Sequence, residues 1–149
     1  MNKVLCVLIV SSTALPAFAD DSPQHCSMAT LHGTYAFAGT GTVTPGPGAV
    51  DGTPYSTSGM ESYDGEGNIK YTQLWHEDGY TSTFNGTGKI LSITANCVAT
   101  VIYDGNVVNV WTFFVAPDGS SIYYNNNNPG SRIVSGGHED RISHALFVN

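Results

Sequence analysis

The sequence predicts an all-β protein, a closed or nearly closed antiparallel meander barrel of about eight strands. Three observations carry that expectation. Five Asp-Gly dipeptides punctuate the chain (Asp51-Gly52, Asp64-Gly65, Asp78-Gly79, Asp104-Gly105 and Asp118-Gly119), and Asp-Gly tolerates the positive φ angles that tight hairpin turns demand. The runs between them are short and rich in Tyr, Thr, Val, Ile, Phe and Trp, types that suit a pleated, half-buried surface. Apolar spacing of helical period never extends beyond a turn or two, and only Ser27 to Leu31 reads as a single helical turn. A chain that reverses this often builds a meander, whose natural closure is a barrel or a sandwich.

The N-terminus reads as a targeting segment rather than as part of the fold. Lys3, the apolar stretch Val4 to Leu15 and the small-x-small site Ala17-Phe18-Ala19 have the form of a signal peptide over residues 1–19. Residues 20–149 then form one domain, exported to the periplasm or beyond it. Removal of Cys6 with that segment leaves Cys26 and Cys97, 71 positions apart. Two lone cysteines in an exported chain are expected to pair, with buried free thiols as the alternative. No Cys-x-x-Cys or paired histidines at ligand spacing suggests a metal, and no cofactor is expected. Without Lys3 the basic residues are Lys70, Lys89, Arg132 and Arg141, against twelve acidic ones. Such an acidic chain without a basic stripe repels phosphate backbones, which argues against nucleic acid and anionic membranes as partners.

The strands follow in order. Gly33 to Thr40 places Tyr35 and Phe37 on one face and small residues on the other. Thr44 to Thr57, with Pro45, Gly46, Pro47, Gly48, Gly52 and Pro54, reads as a long loop. Gly59 to Tyr63 and Ile69 to His76 flank a turn at Asp64 to Asn68. Two shorter strands, Tyr80 to Phe84 and Thr87 to Ala95, are expected either side of Asn85-Gly86. Val98 to Tyr103 and Val107 to Val115 make the clearest hairpin. Ser121 to Tyr124 and Arg132 to Ser143 complete the set, with Leu146-Phe147-Val148 as a further closing segment.

Several constellations resemble chemistry. His76-Glu77-Asp78 and His138-Glu139-Asp140 are the same tripeptide, and their convergence would gather imidazoles and carboxylates. Neighbouring residues in a strand point to opposite faces, so ordinary surface residues are the simpler reading. Asp64, Glu66 and Asn68 have calcium-loop spacing, but Ile69 and Trp75 stand where an EF-hand needs Gly and Glu. No Gly-x-Ser-x-Gly elbow, His-Glu-x-x-His pair or phosphate-binding glycine loop is present. Asn85-Gly86-Thr87 is a glycosylation sequon, silent in a bacterial host.

The remaining signal is aromatic. Tyr63, Tyr71, Trp75, Tyr103, Trp111 and Tyr124 fall in strands, with Asn109 interleaved, and are the candidates to line a pocket for a small, largely apolar molecule. A solid aromatic core fits the same pattern. Glu61 shares a strand face with Tyr63, so a carboxyl drawn into the barrel would have a raised pKa. Glu61 and His76 are therefore the candidate proton-handling groups.

Cys26, Leu31-x-Gly33-Thr34-Tyr35-x-Phe37, Tyr63-Asp64-Gly65-x-Gly67-Asn68 and Asn96-Cys97 together resemble small exported bacterial proteins of uncharacterised function. The resemblance covers most of residues 20–149 and implies a closed barrel similar to the allene-oxide-cyclase-like and lipocalin-type groups. The lipocalin Gly-x-Trp is not met, because Tyr35 stands at the Trp position. The resemblance brings no catalytic residues, so it implies either a binding barrel or a cyclase or isomerase that shapes an apolar substrate. An outer-membrane barrel is the remaining alternative; most strands, read at five to eight residues, fall short of the roughly nine to eleven that spanning requires.

Overall fold

The computed structural model describes residues 25–46, 52–105, 110–126 and 132–147. Residues 1–19, expected from the sequence to be a signal peptide, and Asn109 lie outside these residues. Eight antiparallel strands follow one another round a closed barrel: β1 His32–Val43, β2 Thr53–Asp64, β3 Asn68–Glu77, β4 Tyr80–Ile93, β5 Val98–Tyr103, β6 Val110–Val115, β7 Ser121–Asn126 and β8 Ile133–Ser143. Each strand pairs with the next, and β8 returns to β1 through pairs such as Phe37↔Glu139 and Gly39↔Gly137. In four of the Asp-Gly pairs the glycine (Gly65, Gly79, Gly105 and Gly119) takes the positive φ that the sequence predicts, while Asp51 lies outside the described residues. Asp78 (φ 49°) and Gly79 (φ 78°) both occupy left-handed backbone between the paired residues Glu77 and Tyr80.

One end of the barrel is sealed. A 3₁₀ turn at Met28–Thr30 lies beside the β6–β7 connection, so close that a Cβ on Gly119 would collide with the carbonyl of Thr30. Tyr35 is fully buried and donates its hydroxyl to the Gly119 carbonyl at 2.5 Å, while Arg141 donates to the Asp118 carbonyl at 3.0 Å. Cys26 and Cys97 are joined with their Cα atoms 4.9 Å apart, which ties the N-terminal lead to the β4–β5 turn. Leu31, Tyr63, Ile69, Ile90, Val101, Phe113 and Ile122 pack above this base as the apolar core.

Three elements differ from expectation. Asn85-Gly86 makes no turn, and β4 runs unbroken through it. Gly86 lies opposite Tyr71, and a Cβ there would meet the Tyr71 ring and the Asp104 carboxylate, so this glycine provides room rather than a reversal. The predicted loop ends sooner, at Thr53, and β2 includes Pro54 and Tyr55. Residues 144–147 add no strand; β8 itself closes the sheet.

Several strands run longer than read from the sequence, 12 residues in β2 and 14 in β4, so length alone no longer separates this barrel from a membrane-spanning one. The outer wall is mixed: Thr40, Ser56, Ser58, Lys70, Asn85, Thr87, Lys89 and Asp140 are exposed on it together with Met60, Leu74, Phe114 and Tyr123, whereas Tyr35, Phe37, Tyr63, Ile69 and Val101 are buried inside.

Gly39 and Gly137 face each other across β1 and β8, and a Cβ on either would strike the Tyr124 hydroxyl. Tyr124 therefore lies flat against a wall with no side chains. Substituting Gly137→Val is expected to push that ring inward and destabilise the fold by about 1–3 kcal/mol, read as a lowered denaturant midpoint. An unchanged midpoint would remove this packing role.

Candidate functional site

Towards the other end of the barrel, the described residues line a cavity of about 460 Å³. Its floor lies where alternate residues of β1, β2, β3 and β8 point inward, and its mouth is at Tyr55, Trp75, Glu77 and Ile133. Eight aromatic side chains line it: Phe37, Tyr55, Tyr71, Trp75, Phe84, Tyr103, Trp111 and Tyr124. Small residues keep the space open, since Gly59 separates Phe37 from Gln73 across three neighbouring strands. The solid-core alternative therefore fails for this half of the barrel.

Tyr71, Trp75, Tyr103, Trp111 and Tyr124 among the predicted residues line the cavity. Tyr63 does not; it is fully buried directly beneath the floor. The rings meet at steep angles, with Tyr71 and Tyr103 at 87°, Tyr103 and Trp111 at 89°, and Trp111 and Tyr124 at 67°. At the mouth, Tyr55 stacks on Trp75 with centroids 3.9 Å apart, and Trp75 donates its indole N–H to Glu77 at 3.0 Å.

Two buried carboxyls meet at the floor. Glu61 faces inward as its strand position predicts, and Glu139 joins it from β8. The Tyr63 hydroxyl lies between them, 2.7 Å from Glu61 Oε2 and 2.9 Å from Glu139 Oε2. Tyr103 adds its hydroxyl to Glu61, at 3.0 and 2.9 Å from the two carboxyl oxygens. A phenol has one proton to donate, so Tyr63 cannot satisfy two carboxylates at once. One carboxyl must hold a proton and donate it back. The arrangement that satisfies every group has Tyr63 and Tyr103 donating to Glu61, and a neutral Glu139 donating to the Tyr63 oxygen.

Electrostatics agree with this count. Burial raises Glu61 to about 7, with the hydrogen bonds from Tyr63 and Tyr103 pulling the other way. Burial and then the neighbouring Glu61 charge push Glu139 well above the carboxylate range, opposed by Tyr63. Burial and the same two carboxyls raise Tyr63 and Tyr103, which keeps both phenols protonated as donors. The floor is thus a proton-sharing carboxyl pair in an aromatic cavity.

His76 is not part of it. It is exposed on the outer wall with Nδ1 2.9 Å from Thr81 Oγ1, which corrects its assignment as a proton handler for this cavity. Strand alternation parts the glutamate from the histidine in both His-Glu-Asp tripeptides, and Asp78 falls in the turn after β3. His138 and Asp140 meet outside at 3.5 Å, while Glu139 points in, and Glu77 likewise reaches the mouth. Weighing the tripeptides as units hid Glu139; following alternate positions from Ile133 through Ser135 and Gly137 would have found it. Asp64 is occupied as a turn acceptor for the Glu66 and Asn68 N–H groups at 2.8 and 3.0 Å.

Fold and site together define an eight-stranded antiparallel barrel with one sealed end and an aromatic, carboxyl-floored cavity. No protein-family model, curated protein or solved structure matches the chain.

Proposed function

We propose that the protein is an exported barrel that binds one small molecule with a largely apolar body in this cavity. The observation that carries the reading is the cavity itself: aromatic walls and a few polar groups converging on the floor, which is how small-molecule sites are built. Tyr71, Trp75, Tyr103, Trp111 and Tyr124 supply the walls, and Glu61 with Glu139 anchors a polar end. The Cys26–Cys97 bond supports export to an oxidising compartment. The resemblance to allene-oxide-cyclase-like and lipocalin-type barrels is part of the same proposal.

Titration with N-phenyl-1-naphthylamine, an uncharged dye that brightens in apolar surroundings, tests it. One dye should bind per chain. Gln73→Trp, which fills the middle of the cavity, should weaken binding at least tenfold while the fold is retained. Equal binding to that variant would place the dye elsewhere and contradict the reading.

The carboxyl pair favours one second reading, a cyclase or isomerase acting on the bound molecule. Glu61 near neutrality can accept or return a proton, and Glu139 can supply one. In that case Glu61→Gln abolishes turnover and leaves dye binding intact.

A further inference from the structure

We propose that the ligand is an organic cation, an ammonium or quaternary ammonium group on an apolar body, with its charge seated over Glu61 and Glu139. The inference rests on the reading of the cavity as a ligand site and specifies the chemistry of the ligand.

Three independent features converge on positive charge. First, among the described residues the lining contains four carboxyl groups, Glu61, Glu77, Asp104 and Glu139, and no Lys, Arg or His. Glu77 lies at the mouth, Asp104 is held by the Tyr71 hydroxyl at 2.6 Å, and the other two form the floor. A cation passing inward meets acidic groups at each depth. Second, the successive steep ring angles from Tyr71 through Tyr103 and Trp111 to Tyr124 present π faces in several directions around one space. That is the geometry of an aromatic cage, which attracts ammonium groups through the ring quadrupoles. Third, the floor is one counter-charge short: two buried carboxyls share a phenol that can satisfy only one of them as an anion.

The third feature sets the proton balance. In the empty cavity Glu139 keeps its proton. When a cation arrives, its charge replaces that proton; the Glu139 O–H bond breaks, the proton leaves to solvent, and the charge of the site stays constant. Proton and cation compete, so affinity rises with pH. The groups facing the pair are Tyr35 from β1, Tyr63 from β2, Tyr71 from β3, Tyr103 from β5 and Tyr124 from β7, all phenols raised by burial. Among the described residues, β4 and β6 present no ionisable side chain to the floor. Arg141 on β8 turns to the sealed end and donates to the Asp118 carbonyl. No positive charge among the described lining residues takes the place of the ligand.

Phenyltrimethylammonium and its uncharged carbon isostere, tert-butylbenzene, separate charge from shape. Binding of each to the disulfide-bonded protein is measured by calorimetry and tryptophan fluorescence from pH 6 to 8, in two buffers of different ionisation heat. The cation should bind at least about tenfold more tightly than the isostere, in the range of a desolvated cation–π site. Its affinity should rise with pH, and at pH 8, above the Glu61 value of about 7, close to one proton should be released per cation bound. At that pH Glu139→Gln should abolish the proton release and reduce the preference for the cation. Equal or tighter binding of tert-butylbenzene, or cation binding without proton release, overturns the charge assignment and leaves the cavity as a site for neutral ligands. Failure of both probes and of the uncharged dye overturns the ligand site as well.

Discussion

Raising the pH from 4.5 to 8 is expected to destabilise the folded protein by roughly 3 kcal/mol through Glu61 alone, with Glu139 adding in the same direction. The sign follows from which state holds the proton more tightly. The folded-state pKa of Glu61 lies at about 7, above the ordinary value of 4.5, so the folded state binds the proton more strongly than the unfolded chain. Stability is complete below 4.5 and is lost as pH rises towards 7. Asp64 and Asp118 are shifted the other way, but from an ordinary value of 3.8, so their contribution changes only at lower pH. The variant Glu139→Gln isolates the effect. Its amide N–H can donate to Tyr63 as the neutral acid does, so it should be more stable than the natural protein at pH 8 and show a smaller loss with pH. Glu61→Gln/Glu139→Gln should show almost none. Thermal melts across this range check it; a stability that rises from pH 5 to 8 contradicts the shared proton.

Breaking the Cys26–Cys97 bond is expected to have an effect of similar size, about 4 kcal/mol for a closed loop of this length in the chain-entropy account. The bond also holds the lead that seals the barrel. Leu31 is fully buried, and the Met28–Thr30 turn covers the connection whose Gly119 carbonyl accepts the Tyr35 hydroxyl. Cys26→Ser/Cys97→Ser should therefore lower the denaturant midpoint and increase hydrogen exchange at Leu31 and Gly119 more than at the β2–β3 pairs. Uniform loss of protection across the barrel would mean that the bond stabilises the whole fold without a specific role at its base.

The architecture was legible because turn chemistry is local. Asp78-Gly79 announces its own reversal, and Tyr35 and Phe37 announce an inward face two residues apart. The same local signal misleads at Asn85-Gly86, where the glycine is required by the ring across the sheet; a neighbour on another strand leaves no mark in the sequence. The site was legible in part for the same reason. Glu61 could be placed inside because Tyr63 lies two positions away, and most of the aromatic lining follows from alternation. Alternation along β8 could have placed Glu139 inside as well, but not its meeting with Glu61 and Tyr63, which come from β2 and reach it only when β8 closes on β1. Buried carboxyl pairs are properties of closure, and closure is the least local feature of a barrel.

The shared proton at the cavity floor is tested most directly by nuclear magnetic resonance of the glutamate side-chain carboxyl carbons, followed from pH 4 to 9 and assigned by loss of signal in Glu61→Gln and Glu139→Gln. The resonance of Glu61 should titrate at about 7, and that of Glu139 should remain in the protonated position well beyond it. If both carboxyls instead lose their protons in the usual range, at about 4.3, the floor carries two separate anions and no proton is shared between them.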